Sequence, residues 1–199
     1  MTDDDAPPPA KSNRYVAVAL AAVAAACLVY AAFTNMWLVN SSRAEEFGIG
    51  LRVYHACEAG DCNSESNASV VASFKEAGGH SAELASGAFA PKGWATFVEC
   101  LLAALGLLGA AALALAKQTP MLPMSPSTLA LLGIMAGLIT GCVFVATKPG
   151  EAGYVGVGQS FWVFGAGAVL GIAGAQMLAK VNRPTDPDLM SGAMNPDDY

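Results

Sequence analysis

The sequence predicts an all-α membrane fold: a bundle of four transmembrane helices with a small strand-containing extracytoplasmic cap between helices 1 and 2. Three observations predict it. Of the 199 residues, 54% are hydrophobic and only 13% are charged, whereas a soluble domain usually carries about 25% charged residues. The charged residues almost vanish from four long runs. A polar segment, residues 40–92, separates the first two of these runs.

Each apolar run is long enough to cross a hydrocarbon core, which takes about 20 helical residues. We assign the spans to residues 15–39, 93–117, 128–147 and 159–180, with short connections at 118–127 and 148–158. The two ends, residues 1–14 and 181–199, are rich in Pro and Asp and are predicted to be disordered tails. A cleavable signal peptide is the alternative for the first run. Its apolar stretch would be only about 7–15 residues long, so an uncleaved anchor is favoured.

Four spans place both termini on the same side of the membrane. Positive residues close to span ends mark the cytoplasmic side. Here they flank the tails and the connection 118–127, as Lys11, Arg14, Lys117, Lys180 and Arg183. The opposite side has as many positive residues, but two of them, Arg52 and Lys75, lie deep in the polar segment and far from any span end. We therefore expect cytoplasmic termini, an extracytoplasmic segment 40–92, and a location in the plasma or inner membrane.

Small residues spaced four apart are expected to bring the spans together, because close backbone contact supplies the attraction between helices in lipid. The third span has three in register and the fourth has two, namely Gly133, Gly137, Gly141, Gly167 and Gly171. The alternative is that glycine is simply abundant in this chain. For the third span, the shared register favours a packing face.

The polar segment combines a strand pattern with a cysteine pair. Polar and apolar residues alternate from Ile49 to Ala56, as in a half-buried strand. Cys57 and Cys62 then flank Gly60 and Asp61, which suit a hairpin turn. We predict a structural disulfide between them, which persists only outside the cytoplasm.

Two other interpretations of this cysteine pair stay open. Four-helix membrane thiol oxidoreductases use a Cys-x-x-Cys pair, whereas four residues separate Cys57 from Cys62 and no second external pair is present in the sequence. A metal site formed by His55, Cys57, Cys62 and His80 lacks the usual zinc-ligand spacing. We therefore predict no metal and no cofactor.

A family resemblance rests on five residues and on the order of the spans. Trp37 stands at the end of the first span, Gly50 and Leu51 follow in the polar segment, and Cys57 and Cys62 come next. This pattern resembles the claudin and peripheral-myelin-protein superfamily, whose long first loop carries a Trp, then Gly-Leu-Trp, then two disulfide-bonded Cys. Here Arg52 replaces the motif's second Trp, and the two Cys are closer together than in claudins. The resemblance implies a strand-rich cap, a role in lateral or cell-to-cell association or as an accessory subunit, and no catalysis.

Glu99 is an acidic residue inside the second span. A charged group at the centre of the hydrocarbon costs roughly 2.5–3.5 kcal/mol, so Glu99 is expected to face the bundle or water, or to be protonated. One interpretation is an ion or proton site with Lys148 or Gln159. The favoured one is an interfacial residue that reaches the headgroups or pairs with Lys92.

These observations predict a non-enzymatic membrane protein that interacts with the lipid bilayer and with other membrane proteins or itself. We find no catalytic set of side chains in the sequence. A net charge of -6 argues against nucleic acid as a partner. The alternative functions are a small transporter or channel component that uses Glu99 and, less favoured, a membrane thiol oxidoreductase.

Overall fold

The computed structural model describes residues 12–40, 47–58, 61–79, 86–116, 124–149 and 155–182. Four long helices form the bundle: α1 (Ser12–Phe33), α3 (Phe89–Ala116), α4 (Pro126–Ala146) and α5 (Gln159–Val181). All four are long and apolar enough to cross a membrane. The predicted four-helix membrane fold is therefore confirmed. The predicted tails fall almost entirely outside the described residues, as do Lys11, Lys117 and Arg183.

The described part of the cap contains five strands and the helix α2. Its elements are β1 (Leu38–Val39), β2 (Phe47–Ile49), β3 (Val53–Glu58), β4 (Asp61–Ser66), α2 (Asn67–Ala77) and β5 (Gly156–Val157). The strands form one antiparallel sheet in the order β4-β3-β2-β1-β5. The strand-containing cap predicted between the first two spans is thus present, and the connection between α4 and α5 adds its edge strand β5.

The first span differs from its predicted bounds of 15–39. Helix α1 ends at Phe33, and Leu38 and Val39 already belong to the sheet. Trp37 therefore starts the cap and does not lie in the membrane helix. Hydropathy alone does not mark this change, because an apolar strand buried under a cap has the same composition as the end of an apolar helix.

The predicted strand over Ile49–Ala56 is interrupted. Strand β2 ends at Ile49, residues 50–52 form a bend, and β3 begins at Val53. The hairpin predicted at Cys57 and Cys62 implies a second strand, and β4 is that strand; its length and the strand β5 were not predicted. Strand β4 has the sequence DCNSES and is exposed at all six positions, so it carries no apolar alternation. Strand β5 has only two residues.

The bundle has an apolar exterior as well as an apolar core. Side chains that point away from the other helices include Leu102, Leu105, Leu132, Ile139 and Val169. The interior is lined by small residues such as Ala21, Ala103 and Ala130. Large apolar side chains on the outside and small residues between the helices suit a lipid environment. In lipid, close packing of small residues replaces the hydrophobic effect as the force between helices.

The glycines predicted to form packing faces lie at helix contacts. A Cβ atom on Gly133 would lie 3.1 Å from the Cβ of Ala103 on α3. Gly137 and Gly141 face the ring of Phe164 on α5. A Cβ atom on Gly167 would lie 2.8 Å from the Cβ of Cys27 on α1. A Cβ atom on Gly171 would lie 2.7 Å from the Cδ1 atom of Ile134 on α4.

Candidate functional site

Trp37 joins the cap to three helices of the bundle. Its side chain is fully buried, and its indole Nε1 donates a 2.5 Å hydrogen bond to the Ala31 carbonyl near the end of α1. The ring packs against Phe144 of α4 and against Phe161 and Phe164 of α5, with centroids 6.0, 5.9 and 5.2 Å away. A buried Trp with its N–H satisfied contributes a large contact area in one fixed orientation.

The backbone of Trp37 ties two parts of the sheet together. Its N–H donates to the Ile49 carbonyl at 3.0 Å, and its carbonyl accepts from the Gly158 N–H at 2.8 Å. The neighbouring Met36 carbonyl accepts from the Ser160 N–H at 3.0 Å. The beginning of α5 is therefore bonded directly to the segment between α1 and β1.

Gly50 and Leu51 form a tight bend beside Trp37. A Cβ atom on Gly50 would lie 2.7 Å from the Thr34 carbonyl oxygen, so only glycine fits. The Gly50 carbonyl accepts a 2.9 Å hydrogen bond from the side-chain amide of Asn67, which is itself buried at the start of α2. Leu51 is buried, and its carbonyl lies against Gly93 of α3, where any Cβ atom would collide with it.

Arg52 comes next in the chain, directly before β3. Its guanidinium carbon lies over the rings of Phe97, Trp94 and Phe33, at 4.2, 5.4 and 5.6 Å from their centroids. The Phe97 ring contacts the other two edge-on, with centroids 5.3 Å from Phe33 and 5.7 Å from Trp94. A cation over aromatic faces is attracted by the ring quadrupoles, so Arg52 holds the cap onto α1 and α3.

The predicted disulfide joins β3 to β4. Cys57 and Cys62 are directly opposite each other in the ladder, with Cα atoms 4.0 Å apart. His55 lies beside it, with Nε2 3.3 Å from the Cys57 sulfur and Nδ1 2.8 Å from the Ser64 hydroxyl. The donor atoms of His55, Cys57 and Cys62 lie within 4.8 Å of one another. Sulfurs bonded to each other are not thiolate ligands, and His80 lies outside the described residues.

Tyr54 marks an open apolar cleft in the cap. The cleft has a volume of about 460 Å³ and lies between the sheet and α2, with Phe47, Val70, Phe74 and Val155 among its lining residues. Partial burial raises the pKa of the Tyr54 phenol, and the negative charge of Glu65 raises that pKa further. The ring of Tyr54 packs edge-on against Phe47 at 5.2 Å.

The carboxylate of Glu99 on α3 bonds to a hydroxyl group on α4. The Thr140 hydroxyl donates to the Glu99 carboxylate and accepts a 2.9 Å hydrogen bond from the Thr96 hydroxyl. Thr96 in turn lies 2.9 Å from the Lys92 carbonyl. Lys148, one of the suggested partners of Glu99, donates instead to the Val155 carbonyl. The two threonines were not singled out from the sequence, because a Thr inside a helix commonly bonds to its own backbone.

No protein-family model matches this chain, and no curated protein sequence matches it significantly.

Proposed function

We propose that this protein is a non-enzymatic, claudin-like tetraspan that acts through its cap, as an interaction or adhesion protein or as an accessory subunit of a membrane assembly. One observation carries the proposal. Two parts of the family pattern, Trp37 and the Gly50-Leu51 pair, both lie at the junction of cap and bundle. The Trp37 N–H bonds to the carbonyl of Ile49, the residue before Gly50, and the Leu51 carbonyl lies against Gly93 of α3. Pattern residues that lie at one structural junction support the resemblance more strongly than sequence identity at the same positions alone.

The form of the cap supports a role in association. Its sheet is fixed to the bundle at Trp37 and through the backbone bonds at the start of α5. In the described residues, β4 pairs only with β3, so its other edge faces away from the sheet. An unpaired strand edge can bond to another chain, and the cleft beside Tyr54 adds apolar surface on the same domain.

The proposal includes an orientation with the cap outside the cell and both termini in the cytoplasm. The disulfide between Cys57 and Cys62 supports it, because such bonds persist in oxidising compartments. The positive residues next to the span ends on the tail side support it as well.

The experiment is to extract the protein with its surrounding lipid and to measure the mass of the particle. We expect more than one protein chain per particle, either copies of this chain or a second membrane protein. The double substitution Cys57→Ser and Cys62→Ser, which loosens the cap, is expected to reduce this association. Glu99→Gln, which alters only the bundle, is the matched control and should leave it intact. A wild-type particle that contains a single chain contradicts the proposal.

A second candidate function rests on Glu99. It lies five residues beyond Trp94, which corresponds to about 7.5 Å along the helix axis, and its carboxylate bonds to a hydroxyl between two helices. Intramembrane carboxylates with such partners occur in ion and proton pathways.

The transport hypothesis has its own test. Wild-type protein in liposomes would show an ion or proton flux, and Glu99→Gln would abolish it. Thr140→Val would reduce the flux by removing the hydroxyl that holds the carboxylate. A flux that survives Glu99→Gln argues against a role of this residue in transport.

A further inference from the structure

In the part of the chain that the structure describes, the positive charge of Arg52 contacts aromatic rings but no anionic side chain. Its guanidinium lies over the Phe33, Trp94 and Phe97 rings. Within the described residues its side chain makes no ion pair and no hydrogen bond. Ring faces attract the positive charge, but a guanidinium also carries five N–H donors in one plane. Those donors need acceptors that the described residues do not supply.

The position of Arg52 decides which acceptors can reach it. Phe33 is the last residue of α1, and Trp94 lies in the second turn of α3. Both rings are open to the outside of the bundle, with 56% and 50% of their surface exposed. Trp is enriched where the hydrocarbon core meets the headgroups. Arg52 thus lies at headgroup depth, above rings that face the acyl chains.

From this geometry we propose that Arg52 binds the phosphodiester of a phospholipid in the leaflet on the cap side. The planar N–H fork of arginine matches two phosphate oxygens. The exposed sides of Phe33 and Trp94 contact the upper acyl chains of the same lipid. A free phosphate ion would use only the first of these interactions, so the rings favour a lipid as the source of the phosphate.

This site would also explain why arginine is tolerated where the family motif has Trp. Both side chains are amphipathic and suit the interface. Arginine replaces the ring by a cation that is neutralised by the headgroup. The inference concerns lipid binding to a single chain, so it stands or falls independently of the proposed association through the cap.

The experiment measures phospholipid binding to the purified, delipidated full-length chain by native mass spectrometry. The probes are phosphatidylglycerol, diacylglycerol with the same acyl chains, and inorganic phosphate. The variants are Arg52→Gln, Arg52→Lys and, as a matched control with the same change of charge in the cap, Lys75→Gln. Helix content and melting temperature are checked for each variant, and Arg52→Lys keeps the charge if Arg52→Gln does not fold.

The expected result is that Arg52→Gln weakens phosphatidylglycerol binding about tenfold or more, the size of effect typical of a lost charged hydrogen bond. Arg52→Lys should give a smaller loss, and Lys75→Gln should have no effect. Diacylglycerol should bind wild type and Arg52→Gln equally weakly, and inorganic phosphate should not displace the lipid. Equal phosphatidylglycerol binding by wild type, Arg52→Gln and Arg52→Lys overturns the proposal. So does an equal loss in Lys75→Gln, or displacement of the lipid by inorganic phosphate.

Discussion

The carbonyl of Leu51 lies against the backbone of Gly93, in the space that the Cβ atom of any other residue would occupy. Leu51 belongs to the bend between β2 and β3, and Gly93 belongs to the first turns of α3. The cap therefore rests directly on a membrane helix, backbone against backbone. Its position relative to the bundle depends on the absence of one methyl group.

The first prediction follows from this contact. Gly93→Ala is expected to destabilise the protein by about 1–3 kcal/mol, because the methyl group forces the Leu51 carbonyl and the cap away from α3. Thermal unfolding in detergent measures the effect. Gly165→Ala is the control, since a Cβ atom at Gly165 meets nothing within 4 Å. If both variants melt at the same temperature, the Leu51 contact does not hold the cap in place.

The second prediction concerns Trp37 as the link between cap and bundle. Trp37→Ala removes a fully buried indole and its hydrogen bond to Ala31, and we expect a loss of about 3–5 kcal/mol. Trp162→Ala is the matched control, because 68% of the Trp162 side chain is exposed. Limited proteolysis of the cap should accelerate in Trp37→Ala only. Similar cleavage rates in the two variants would show that the junction does not depend on Trp37.

The third prediction separates the stability of the cap from that of the bundle. Replacing both cysteines of the disulfide by serine is expected to cost about 2 kcal/mol, the value of the chain-entropy model for such a short loop. The loss should be confined to the β3–β4 hairpin. Hydrogen exchange is therefore expected to rise in β3 and β4 but not in the four long helices. Cys142→Ser, which removes an exposed free thiol, should change neither. Faster exchange throughout the bundle would contradict this division.

The fourth prediction is a pH dependence at Tyr54. Because burial and the charge of Glu65 raise the pKa of the Tyr54 phenol above its ordinary value of 10.0, the folded state favours the protonated phenol. This contribution to stability is fully present below pH 10 and is lost as the pH rises through the higher folded pKa. The tyrosinate absorbance, taken as the difference between wild type and Tyr54→Phe, measures the shift. Glu65→Gln should move the pKa back toward 10 without fully restoring it, and an unchanged titration would exclude the contribution of Glu65.

The four spans could be predicted because their signal is long and simple. Runs of about 20 apolar residues have few alternatives. The disulfide was predictable from the spacing of Cys57 and Cys62 around turn residues and from the expected compartment. Glycines in register pointed to helix contacts, and Gly133, Gly137 and Gly141 do lie against side chains or backbone of other helices.

The remaining features depend on contacts between distant parts of the chain. Strand β4 is entirely polar and exposed, so nothing in its own sequence distinguishes it from a loop. Strand β5 exists because Gly156 and Val157 pair with β1, more than a hundred residues earlier. In the sequence, Arg52 is visible only as a departure from the family pattern. The three rings that its guanidinium contacts belong to α1 and α3, so the contact depends on the fold.

Crosslinking in the membrane tests the central claim, association through the cap, most directly. A photoreactive residue is placed at Asn63, on the exposed strand β4, or at Leu105, which is 64% exposed on the side of α3. We expect the Asn63 probe to form a covalent product with a second protein chain and the Leu105 probe to react mainly with lipid. Products with lipid or solvent alone at Asn63 would contradict the account.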